Sequence, residues 1–447
     1  MPEIFSQSAL PDEAEEHFSR FLKEAQNTLG QGITSNHLHE NFLRLFGNSR
    51  FLSHHVIRHP HLFKIYNNSP YKETEKPFGV FEIEATEAMK SSRTLDDAVR
   101  ELKLYKYQEY VRLTIKELCL FEQNIIYREF AHLALAIGRG LIKKIIAELG
   151  ERYGVTLFDT GLFAIISMGK LGGLELNYSS DVDLIGLYED EKKHLNITNH
   201  EFFTKLFTKL GQLLGHNDAE GFLYRVDWDL RPEGKSGTLA NSLPAMETYY
   251  QTFGEDWERQ AFIKGGLYFE TGHIGLEFLK LMQPFVYKKY VDSKTIERIW
   301  NIKSRIISEH AQKEQTGTNI KLCHGGIRDV EFLAQGFQLL FGGKDPDLRC
   351  RGTIDTIQEL TGKQILPAEE AHVLRAGYLF LRRVESAIQM EAEKQTQILP
   401  DDKPERLKIA RRLGINGTAD HATDIFSEQL QNTLKHIHHL FRKYYER

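Results

Sequence analysis

The sequence predicts a mixed α plus α/β protein: a small α/β domain held between two helical bundles. Three observations carry this expectation. The first 150 or so residues follow helical spacing, the stretch after Gly161 switches to short β-rich runs broken by glycine, and helical spacing returns after Leu281. The expected domains are residues 1–150, helical; 151–280, α/β; and 281–447, a second helical bundle. A chain of 447 residues leaves room for about three domains.

The elements can be justified in order. In EEHFSRFLKEAQNTLG, Phe18, Phe21, Leu22 and Ala25 share one helical face, and Gly30 is a natural stop. SRFLSHHVIRHPHLFKIY continues the pattern with an interruption at Pro60. Leu95 to Leu149 reads as nearly unbroken amphipathic helix, punctuated only by Gly138 and Gly140. LFAIIS (162–167), VDLIGLY (182–188) and FLYRVDWDL (222–230) read as strands. Phe203, Leu206, Phe207, Leu210, Leu213 and Leu214 mark a helix between the second and third of them. Further on, Val373, Gly377, Phe380, Leu381, Val384 and Ile388 form one stripe, and DIFSEQLQNTLKHIHHLFRKYY closes the chain as an amphipathic helix.

Composition narrows the function. The 62 acidic and 57 basic residues give a net charge of −5, which speaks against nucleic acid as a partner. No apolar run is long enough for a membrane span, and the first twenty residues lack a signal-peptide pattern. The three cysteines, Cys119, Cys323 and Cys350, are too scattered for a disulfide framework or a structural zinc site, and a cytoplasmic location is expected.

The segment SMGKLGGLELNYSSDVDLIGLY (167–188) carries the chemistry. Asp181 and Asp183 are two apart at the start of a strand, so their carboxylates share a face. Adjacent carboxylates repel unless a cation lies between them, and Mg²⁺ takes carboxylate and phosphate oxygens. Gly169, Lys170, Gly172 and Gly173 make a glycine-rich turn able to approach a phosphate, with Lys170 adding charge. Asp227 supplies a third acid if its strand neighbours that of Asp183, and the set then fits metal-assisted phosphoryl or nucleotidyl transfer. A third DxD, Asp345 with Asp347, sits in a Gly/Pro turn and reads as solvated structure. Arg231 could clamp a phosphate or form an ion pair, and Ser179 and Ser180 could cap a turn or bind phosphate. Glu175 and Asn177 read as loop-shaping residues. Gly325, Gly326, Arg328 and Glu331 read as a helix start with an i,i+3 pair. Histidines cluster at 54–61 and at 436–439. His55 and His59 have the i,i+4 spacing of a zinc pair, but no partner set is visible beside them, so metal is not expected there.

The motif GKLGG.ELN.SSD.DL resembles the signature of the glutamine synthetase adenylyltransferase/adenylyl-removing family, a branch of the DNA polymerase β-like nucleotidyltransferases. Further blocks in the same order strengthen the resemblance: RVDWDLRPEGKSGTLANSL, YYQTFGEDWERQAFIK, PFVYKKYVD and NIKLCHGGIRDVEFLAQGFQLLFGG, with weaker SRFLSHHVIRHP and LKLYKYQEYVRLTIKEL. The resemblance implies a nucleotidyltransferase sheet, Mg²⁺ on Asp181, Asp183 and Asp227, and nucleotide and phosphate as small ligands. It implies glutamine synthetase as protein substrate and the PII signal protein as a partner. Such proteins usually carry two units in a chain of roughly double this length, and GEDWERQAFIK and PFVYKKYVD resemble the first, which removes AMP by phosphorolysis and releases ADP. Adenylylation from ATP, or a non-catalytic binding module, are the alternatives. Asp229, Cys323 and His324 depart from the usual family pattern, as does Ser167.

Overall fold

The computed structural model describes residues 3–290 and 318–445. Val291 and Asp292, the end of the PFVYKKYVD block, lie outside the described residues.

Helices dominate the first third: α1 (Pro11–Leu29), α2 (Arg50–Arg58), α3 (Leu95–Leu118) and α4 (Gln123–Tyr153) are the elements used below. α1 ends at Gly30 as expected, with φ of 120°. The single long helix expected from Leu95 onward is corrected to two. The break falls at Cys119–Glu122, where Leu120 takes a positive φ of 59°. Gly138 and Gly140 lie inside α4 and interrupt nothing; Gly138 is where the Tyr268 hydroxyl packs, only 1.5 Å from where a Cβ would stand.

The central sheet comprises β1 (Phe163–Ser167), β2 (Val182–Tyr188), β3 (Val226–Asp227), β4 (Ala240–Ser242) and β5 (Gly266–Glu270). Its order is β3-β2-β1-β5. β1 runs antiparallel to β2 and β5, whereas β3 and β4 both pair parallel to β2 on the same edge. The strand expected over 222–230 is only two residues long, because the chain bonds to the start of β2, leaves, and returns as β4. α5 (Gly169–Gly172) is a single turn between β1 and β2, and α6 (Asn199–Gly215) begins with a capping box from Thr198 and Glu201.

Side-chain alternation along the strands builds two cores. Phe163, Ile165, Leu184 and Tyr188 join the N-terminal helices, with Phe203 and Phe207 of α6. Ala164, Ile166, Ile185 and Leu187 face the other way, toward α7 (Asp256–Phe262), α8 (Ile327–Phe341), α9 (Ala368–Gln389) and α10 (Ala419–Tyr445). On α9 the buried stripe is Leu374, Gly377, Tyr378, Leu381 and Val384, one position away from the expected Val373 and Phe380, which are half-buried.

Candidate functional site

The register of β2 decides where the acids go. Asp183 has the parity of Ile185 and Leu187, so it faces the C-terminal helices. Asp227 is its direct partner across the β2–β3 pair. Asp181 precedes β2 by one residue, and its Oδ1 accepts from Arg225 Nε at 2.9 Å while Gln395 donates to Oδ2. The Asp183 carboxyl is pushed up to about 7, by burial first and then by the charges of Asp227 and Asp181. Asp227 and Asp181 thus stand near enough to Asp183 for their charges to oppose its ionisation.

Asp181 and Asp183 line a cleft of about 340 Å³ between the sheet and helices α7 and α8. Gly169 forms its floor with a φ of +54°, and a Cβ there would stand 2.2 Å from Asp183 Oδ2. Glycine is required at this point both by conformation and by contact. Cations face the acids from the opposite wall: Lys321, and Arg328 in the first turn of α8. Trp257 and Phe332 add aromatic surface.

The other sequence candidates are placed less simply. Lys170 Nζ lines the cleft but is tied to the buried Glu385 carboxylate at 2.9 Å and to Asn177 at 3.1 Å. Burial pulls its pKa down to about 8 against the opposing pull of Glu385. Gly172 and Gly173 do not line the cleft. A Cβ on Gly172 would meet the Lys264 carbonyl at 1.9 Å, so it is a close-packing glycine against the entry to β5. Gly173 approaches the Arg351 carbonyl on the far side. Ser180 donates to Asn177 within the turn, and Ser179 Oγ donates to the Glu393 carbonyl at 3.0 Å.

Arg231 lines an open hollow with Asp181, Asp227 and Asp229, and its Nη1 lies 3.8 Å from Asp229 Oδ1. Its guanidinium donates to the carbonyls of Gly237, Trp228 and Lys235 at 3.0, 2.9 and 3.0 Å, closing the loop between β3 and β4. Three of its five N–H groups are thus engaged with backbone, and the ion-pair alternative has a partner in Asp229. Asp229 lies on the same outer side, 3.4 Å from Lys235 Nζ, and its backbone N–H donates to Asp227 Oδ1 at 2.7 Å. Glu175 holds Lys264 at 2.8 Å and accepts from Thr353, which makes it the loop-shaping residue expected.

Sequence reading undervalued Lys321 and Arg328. Both stand in NIKLCHGGIRDVEF, but nothing local says that this segment faces Asp183. Arg328 does lie 4.0 Å from Glu331, as the i,i+3 spacing suggests, yet both line the cleft. Against the burial that opposes it, Glu331 is held well below the usual carboxylate range by Lys264, Arg328, Lys170 and Lys321.

The fold and site define a class: a helix-rich protein with a small mixed sheet whose β2 presents Asp181 and Asp183 to a cation-lined cleft. Residues 39–281 match the family described as glutamate-ammonia ligase adenylyltransferase, and the chain belongs to that family. Residues 300–445 match a second description, PII-uridylyltransferase. The bifunctional glutamine synthetase adenylyltransferase/adenylyl-removing enzyme of Hahella chejuensis is 35% identical over 415 residues, covering 88% of this chain and 43% of the relative. That of Psychromonas ingrahamii is 32% identical over 446 residues, covering 96% and 45%. That of Vibrio parahaemolyticus is 42% identical over 282 residues, covering 62% and 29%. The chain thus spans less than half the length of these relatives. Among the described residues, no helix is long and apolar enough to cross a membrane.

Proposed function

We propose that this unit removes AMP from the modified tyrosine of glutamine synthetase by phosphorolysis, releasing ADP, within a nucleotidyltransferase fold. The observation that supports the reading is the pairing of Asp183 with Asp227 across two parallel strands, with Asp183 in the cleft that Lys321 and Arg328 line and Asp227 on the adjoining open surface beside Asp181. The block resemblance to the adenylyl-removing unit sets the direction.

The donor set fits Mg²⁺. All three candidate ligands offer carboxylate oxygen, and burial first, then the charges of Asp227 and Asp181, push the Asp183 carboxyl up to about 7. Asp181, Asp183 and Asp227 would hold the cation, which supplies charge neutralisation at the phosphoryl oxygens. The chain's own residues do the remaining work. Gly169 keeps side-chain bulk away from the acids. Lys321 and Arg328 bind and orient the anionic phosphate, and Trp257 offers a face to the base. Lys170 acts through Glu385 and Asn177, fixing the turn that presents Asp181.

In the reaction an oxygen of inorganic phosphate bonds to the α-phosphorus. The bond from phosphorus to the tyrosine oxygen breaks, and the phenolate leaves to be protonated by water. A phenol with pKa near about 10 leaves readily enough that alignment and electrostatics can suffice. Glutamine synthetase and PII are the proposed protein partners; nucleic acid and membrane are not.

The test is incubation of AMP-modified glutamine synthetase with the protein, Mg²⁺ and phosphate. ADP that depends on phosphate supports the reading. Pyrophosphate released from ATP without phosphate-dependent ADP selects adenylylation instead, and tight binding without turnover selects a regulatory module.

A further inference from the structure

A second cluster lies away from the cleft, where α2 meets the loop leading into β3. His55 and His59 stand one turn apart at the end of α2, with ring centroids 4.8 Å apart. Glu220, 161 residues later, comes to them through the fold, and its Oε2 lies 2.9 Å from His59 Nε2. One candidate ligand atom from each residue falls within 4.8 Å of the other two.

Two independent features show that this is a built site. The first is an orphan: His55 is 1% exposed, and its Nε2 is buried without a hydrogen-bond partner. A buried ring nitrogen left unpaired costs free energy unless something binds it. The second is the clamping of the loop that delivers Glu220. Arg58 donates to the Ala219 carbonyl at 2.7 Å, and buried Lys103 pairs with Asp218 at 2.9 Å. Asp218 and Gly221 close the turn on each other, and Gly221 sits at a φ of +91° against the Tyr107 hydroxyl. Arg58 also stands 3.8 Å from Glu220 Oε1, which leaves Oε2 for the histidine side.

We propose that His55, His59 and Glu220 bind a transition-metal ion, zinc by donor chemistry, which staples the N-terminal helices to the loop entering β3. Two imidazole nitrogens and one carboxylate oxygen are a recognised zinc set with one position left for water. His59 and Glu220 retain 20% and 26% side-chain exposure, so the ion has a route in and that water has room. Ligands about 2.0–2.2 Å from zinc stand closer together than 4.8 Å, so binding draws the three side chains inward by a small rotamer adjustment. The metal would replace the His59–Glu220 hydrogen bond and give His55 Nε2 its partner. Asp227 lies seven positions after Glu220, so this staple fixes the strand that carries the third acid.

The test uses the full chain stripped with chelator and then titrated with Zn²⁺ alone. One equivalent should remain through gel filtration in the presence of excess Mg²⁺ and raise Tm by about 2 °C or more. Glu220→Gln, a change at a part-exposed loop residue, and His59→Gln should each weaken binding about tenfold or more, with unchanged circular dichroism. Zinc-edge absorption of the wild-type chain should show two imidazoles and oxygen donors at about 2.0–2.2 Å, a result that needs no variant. No retained zinc would overturn the proposal. So would zinc displaced by Mg²⁺, an all-oxygen shell, or binding unaltered in both variants, as expected if the ion sits at His436–His439.

Discussion

The two faces of β2 make opposite uses of one strand. On one, Leu184 and Tyr188 pack against Phe203, Phe207 and the N-terminal helices, and Gly186 lets Phe207 lie flat on the strand. On the other, Asp183 faces a polar cleft walled by helices from the far end of the chain. Tight packing on the first face is what allows the second to hold acids close together. Burial there offsets the repulsion that three carboxylates impose on the fold.

Substitutions can break this contrast from either side. The largest effect belongs to Asp183→Asn. Phosphate-dependent ADP release should fall about 10²–10³-fold or more, while thermal stability holds or rises, as measured by turnover and calorimetry. Next comes Gly186→Ala on the closed face. Its Cβ would stand 2.2 Å from Phe207, and the overpacking should cost about 1–3 kcal/mol in denaturant unfolding, with turnover per folded molecule little changed. Lys321→Ala should raise the KM for phosphate several-fold, leaving stability within about 0.5 kcal/mol.

The smallest effect is a pH dependence remote from both faces. Burial pushes Glu117 up to about 7, although Gln123 donates to it at 2.9 Å. A carboxyl whose folded pKa lies above its unfolded value keeps its proton in the fold longer than in the open chain. Stability therefore falls as pH rises from about 4.5 through 7. Glu117→Gln should flatten that part of the Tm-against-pH curve; an unchanged slope would show that another group governs it.

The first two strands were legible because period-2 alternation is a local rule, whereas the third is only two residues long and β4 and β5 were not expected; the nearness of Asp227 to Asp183 follows from the pairing of β3 with β2. What escaped was long-range. α3 buries Lys103, Lys106, Glu109, Arg112 and Lys116 as well as its apolar residues, so its polar pattern could not show which side faces inward. Arg112 pairs with Glu109 and with Glu129 of the next helix, Lys116 with Glu129, and Lys103 and Lys106 with Asp218 and Glu393 from far along the chain. Lys170 looked like a phosphate ligand because Glu385 lies 215 residues away. Arg231 was weighed as a phosphate clamp or an ion pair, and its bonds to the carbonyls of Gly237, Trp228 and Lys235 leave no mark in the sequence. His55 and His59 lacked a visible partner because Glu220 arrives only through tertiary folding.

The most direct test of the acid cluster is a crystal of the protein soaked in Mn²⁺, read by anomalous scattering. A peak bridging the carboxylates of Asp183 and Asp227, absent in Asp183→Asn, is the expected result. Mn²⁺ bound elsewhere while Asp183 and Asp227 remain without metal would contradict the account.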